Sequence, residues 1–70
     1  MSLYEKYAML KEQTGMSDYA VAKHTGIAGS TLSDWRRGLY VPKVDKLYSL
    51  AKFFNVPIEY FLEDSDEEEG

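Results

Sequence analysis

The chain has 70 residues, 44 % apolar, 14 % aromatic and 29 % charged, which suits one small domain and excludes a second core or a large enclosed substrate cavity. No apolar stretch approaches the roughly 18–20 residues that cross a bilayer and the first ten residues lack a secretory layout, so a cytoplasmic protein without membrane association is expected. With no cysteine and one histidine, packing alone must hold the fold, and neither a metal nor another cofactor is expected. The formal charge of -4 divides unevenly, because residues 63–70 hold six acids and no base whereas residues 1–62 hold eight bases and six acids. The body is therefore mildly basic, and the expected division is a domain over 1–62 followed by an acidic, solvated tail over 63–70.

Ser2, with Glu5 three positions on, has the form of a capping box that opens a first helix over about Leu3 to Gln13. Leu3, Tyr7 and Leu10 recur at helical steps along it, and Gly15 supplies a stop. Ser17 caps a second helix with Asp18 in its first turn, and Tyr19, Val21 and Ala22 are expected to face inward until Gly26. The pattern restarts at Ile27, with Leu32 and Trp35 on one helical face and Gly38 ending the run. Pro42 closes an extended connector. Val44, Leu47, Leu50, Ala51 and Phe54 then mark the clearest amphipathic helix, Asn55 a left-handed stop, and Pro57 the opening of a short last helix with Ile58, Phe61 and Leu62. Strand alternation and hairpin signals are absent, so the reading is all-α, a compact five-helix bundle.

The informative segment is 17–38, SDYAVAKHTGIAGSTLSDWRRG, in which a helix of about eight residues meets a glycine-containing turn and a second short helix. That is the layout of a helix-turn-helix. Val21-Ala22, Gly26-Ile27, Ser30-Thr31-Leu32-Ser33, Trp35, Gly38, Pro42, Leu47, Ala51 and the stretch from Val56 to Leu62 follow in order over some 45 residues. In these residues the chain closely resembles the lambda-repressor-like, Cro-type helix-turn-helix family, also called the XRE family of bacterial and phage regulators. The resemblance implies a five-helix domain that binds a double-stranded DNA operator and regulates transcription, with repression the expected outcome. Such a domain lays the helix near residues 29–37 in the major groove.

By the same resemblance Gly29, Ser30 and Asp34 face base edges, with Ala28 and Ser33 at the margin. Many relatives carry Gln or Arg where Gly29 stands, so direct readout is thin here and DNA shape carries part of it. Phosphate contacts are expected from Arg36, Arg37 and Lys43, then from Lys23, Thr31 and Tyr40, and from backbone N–H groups at the start of the second helix near Ser17. Ile58, Tyr60 and Phe61 are more apolar than docking of a last helix needs, and domains of the family often pair through this region, so a homodimer contact is expected there. Trp35 reads as core and His24 as a surface residue at a helix end, with no acid or oxyanion arrangement to make it catalytic. An enzyme is not expected, and no small-molecule effector is evident. The alternative from another class is a helix-turn-helix scaffold for binding proteins, an antitoxin-like or adaptor module, which Gly29, Asp34 and the net acidity favour.

Overall fold

A computed structural model of the chain describes residues 2–63. Five helices follow one another, and there is no strand among the described residues: α1 (Leu3–Thr14), α2 (Asp18–Thr25), α3 (Gly29–Arg36), α4 (Val44–Phe54) and a short α5 at 59–63. The capping box at the start of α1 is complete. The Glu5 amide donates to Ser2 Oγ at 3.1 Å and the Ser2 amide donates to Glu5 Oε1 at 2.9 Å, satisfying two amides that the helix cannot. At the far end of α4, Asn55 takes φ 62°, and the Val56 amide donates back to the Ala51 carbonyl at 2.9 Å, closing the helix in the way the sequence pattern requires. Pro57 lies just before α5 and its carbonyl accepts from the Tyr60 amide at 3.0 Å.

The core is drawn from every helix: Tyr7 and Leu10 of α1, Val21 of α2, Ile27 of the turn, Leu32 and Trp35 of α3, Leu47, Leu50, Ala51 and Phe54 of α4, and Phe61 of α5. Trp35 stacks on the Tyr7 ring at 4.9 Å and meets the edge of Tyr4 at 5.3 Å, so α3 is anchored to α1 by aromatic contact. One face of α3 is thereby fixed inward and the other left outward.

Three expectations need correction. Tyr19 does not face inward but is 76 % exposed, because Val21 two residues on already takes the inward position of α2. Phe61 has no surface to give to a dimer, since it is fully buried in the core of its own protomer. Ile58 and Tyr60 are half-buried against that core, and the Lys6 ammonium donates to the Tyr60 carbonyl while lying 5.0 Å from its ring centroid. Glu63 belongs to the last turn of α5 rather than to the tail, whose remaining residues 64–70 lie outside the described residues.

Candidate nucleic-acid interface

The outward face of α3 is positioned from both ends. Ser17 caps α2, its Oγ accepting from the Ala20 amide at 3.1 Å. Gly26 then turns the chain at φ 83°, a region that a Cβ would strain, while its amide bonds the Ala22 carbonyl. Thr25 braces the turn: its hydroxyl donates to the Val21 carbonyl at 2.7 Å and accepts from the Ile27 amide at 3.2 Å. No side chain caps α3, and Ala28, Gly29 and Ser30 at its start are all exposed. The helix's own bonds begin with the Thr31 amide, which donates to the Ala28 carbonyl at 3.0 Å, so the Gly29 and Ser30 amides stand at this exposed end ahead of them, where they can meet an acceptor.

Leu32 and Trp35 define the inner side of α3, and helical steps place Ser30, Ser33, Asp34 and Arg37 on the opposite side. Thr31 and Arg36 fall on the two flanks, the first half-buried and the second exposed. Asp34 and Arg37 are one turn apart, with a Arg37 Nη1 to Asp34 Oδ1 distance of 3.6 Å and roughly half of each side chain open to solvent. Such a pair contributes little to stability, but it holds the one acid of the face beside a base. Lys23, on α2, and Lys43, the residue that precedes α4, are both exposed. Tyr40 packs partly against the core, leaving only part of its side chain for a backbone contact, and the Ser17 hydroxyl is already engaged in its cap. The structure thus brings Ser30, Ser33, Asp34 and Arg37 to one side of α3, with Ala28 and Gly29 exposed at its start, and sets Lys23, Arg36 and Lys43 in the elements around it.

His24 is exposed and stacks on Phe53 with ring centroids 5.5 Å apart. Among the described residues there is no cluster of side chains that could hold a metal ion, and no helix is long and apolar enough to cross a membrane.

One supporting arrangement escaped the sequence reading. Asp18 Oδ1 accepts from the Tyr7 hydroxyl and from the Lys11 ammonium, both at 2.7 Å, which ties the first turn of α2 to α1 and fixes the angle at which the motif leaves the core. Burial pushes the Tyr7 hydroxyl well above the usual tyrosine range, and its bond to Asp18 pushes the same way. Burial also works to raise the Asp18 carboxyl, but the hydrogen bonds from Lys11 and Tyr7, with the charges of Lys11 and Arg36, outweigh it and hold the carboxyl below the usual range. A carboxylate depressed in the folded state stabilises the protein above its ordinary value of about 4 and loses that contribution as pH falls through the folded value. Asp18→Asn is therefore expected to cost roughly 1–2 kcal/mol at pH 7 and to converge with the parent protein once the pH has fallen below the depressed folded value, as measured by urea unfolding at pH 7 and in acid. A constant difference at both would mean that the carboxylate charge is not what matters.

Comparison with known proteins places these elements. The family model described as Helix-turn-helix, HTH_3, matches residues 7–61. No curated protein and no solved structure matches the chain significantly. Because the family match runs from Tyr7, the first residue of the core, to Phe61, the last, the chain belongs to the helix-turn-helix family of DNA-binding regulators of the XRE, or Cro and lambda-repressor, type.

Proposed function

We propose that the protein is a sequence-specific transcription regulator of phage or bacterial type, working in the cytoplasm as a repressor that occupies a promoter site on double-stranded DNA. The observation that supports this most is the outer face of α3, which presents short polar side chains and Arg37 while Leu32 and Trp35 hold its back to the core. Ala28, Gly29, Ser30, Ser33 and Asp34 face base edges, Asp34 accepting from a cytosine amino group. Lys23, Thr31, Arg36, Arg37, Tyr40 and Lys43, with the amides that follow Ser17, meet phosphates and set the register. Residues 1–63 form the reading domain, and the acids of 64–70 oppose binding to a polyanion. The role as proposed involves no catalysis, cofactor or small-molecule effector, with control through protein amount, a protein partner or the acidic tail.

The protein acts as a homodimer, at least on DNA, since a two-fold sets two α3 helices in successive major grooves. The contact is drawn less to α5, where Ile58 and Tyr60 keep only part of their surface, than to the apolar side chains of Leu39, Val41, Val44 and Tyr48, each more than half exposed in the connector and the start of α4.

Selection of duplexes from a randomised pool, at low salt and with the full chain, tests the proposal without presupposing an operator. The expected result is a palindrome with half-sites about 10 base pairs apart, altered at one position by Ser30→Ala, weakened alike on all sequences by Arg37→Ala, and reduced to a single half-site by Tyr48→Glu. Recovery of no motif would overturn the regulator and favour the protein-binding scaffold.

A further inference from the structure

α5 and the C-terminal end of α3 are packed on the same two turns of α1. The Tyr60 hydroxyl donates to the Lys6 carbonyl at 3.4 Å, and the Lys6 ammonium lies 5.0 Å from the Tyr60 ring centroid. Beside them Tyr4 and Tyr7 hold Trp35, with ring centroids 5.3 and 4.9 Å from that of the indole. The chain thus leaves α5 at Glu63, three residues past a contact with the stretch of α1 that carries the end of α3, and Trp35 is followed there by Arg36 and Arg37. Residues 64–70 come next in the sequence, and seven extended residues span about 23–25 Å. That reach matches the two shorter dimensions of the molecule, 26 and 22 Å.

The charges at the two places are complementary. Asp64, Asp66, Glu67, Glu68 and Glu69 are five acids in seven residues with no base among them. Arg36, Arg37 and Lys43 are exposed, and the acids of α2 and α3 leave them largely unneutralised. Asp34 meets Arg37 only at 3.6 Å and in the open, while Asp18 lies in the field of Arg36 but has its bonds with Tyr7 and Lys11. Building on the DNA reading above, we infer that segment 64–70 folds back on Arg36, Arg37 and Lys43 of its own chain and competes with DNA phosphates for them. A tether this short holds the acids at an effective concentration in the millimolar range, so contacts that are weak singly are occupied when no DNA is present. The segment withholds phosphate partners and touches no base, so it lowers affinity by a similar factor on every duplex. Salt screens the contact, and its effect fades as the Debye length shortens.

The test uses the full chain. With no cysteine in the sequence, Gly70→Cys takes a single nitroxide label. At low salt and without DNA, the label is expected to broaden the amide signals of Arg36, Arg37 and Lys43. The broadening is lost at about 0.3 M salt, and lost when the five acids are replaced by Asn and Gln. It does not pass from labelled protein to an isotopically enriched, unlabelled copy mixed with it. On the strongest duplex from the randomised selection, and on random duplexes alike, the neutral-tail variant is expected to bind about 5–10-fold tighter than the parent at low salt and within 2-fold of it at about 0.3 M. In an Arg36→Gln, Arg37→Gln background the same neutralisation is expected to change affinity less than 2-fold, whereas a general repulsion between the acids and the duplex would persist there. An absence of broadening at these residues, broadening that passes between copies, or a gain that survives without the two arginines would each overturn the fold-back while leaving the DNA reading in place. Failure to select any duplex would remove the DNA reading and the competition with it.

Discussion

Trp35→Ala is expected to abolish cooperative folding at 25 °C. Trp35 is 4 % exposed, stacks on Tyr7 and touches Tyr4, and removal of a buried tryptophan to alanine costs about 3–5 kcal/mol, the lost transfer energy plus the cavity left behind. A single core of this size supplies rarely more than about 3–5 kcal/mol in total, so the substitution consumes the whole margin. Collapse of the neighbours cannot recover much of it, because Tyr7 is held by its hydroxyl to Asp18 and cannot move into the space without breaking that bond. Trp35→Phe keeps most of the ring contact and should fold with a lowered midpoint. Urea unfolding followed by far-ultraviolet circular dichroism distinguishes the two. A cooperative transition in Trp35→Ala, within about 1 kcal/mol of the parent, would show that α3 is held by Leu32 alone and that the aromatic contact to α1 is incidental.

The dependence of α3 on Trp35 was legible from spacing, and so was most of the fold. Caps at Ser2 and Ser17, the stop at Asn55 and the inward stripe of α4 follow from local rules in which each residue type solves one backbone or burial problem. What local rules could not reach were pairings between elements. Lys11 and Asp18 are two charges seven residues apart on different helices, and nothing in their spacing announces that Tyr7 joins them. Tyr19 and Phe61 show the same limit in opposite directions. Both are large aromatics on short helices, where one turn holds too few apolar positions to define a face. The competition of Val21 with Tyr19, and the vacancy that α1 and α4 leave for Phe61, decide which of the two is buried. The outer face of α3 was legible because its inner face was: once Leu32 and Trp35 are fixed inward, Ser30, Ser33, Asp34 and Arg37 have nowhere else to go.

Replacing Arg36, Arg37 and Lys43 together by alanine is expected to lower the salt dependence of DNA binding more than any change to the base-facing residues. All three are exposed, and among the described residues only Arg37 has a carboxylate partner, Asp34, in a pairing that is long and open to solvent. Each neutralised phosphate releases condensed counterions and contributes about 0.9 to the slope of log affinity against log salt. If all three residues meet phosphates, the slope should therefore fall by about 2.7, with affinity at low salt reduced on the order of 100-fold or more. The loss should be nearly equal on selected and random duplexes, because phosphates carry no sequence information. Asp34→Ala should act in the opposite sense on general affinity, since it removes the acid of the face and frees Arg37, while relaxing preference at one base position. Fluorescence anisotropy across a salt series reads all of these. An unchanged slope in the triple variant would mean that these cations are solvated charges at helix ends, and would move the interface with DNA away from α3 and its following connector.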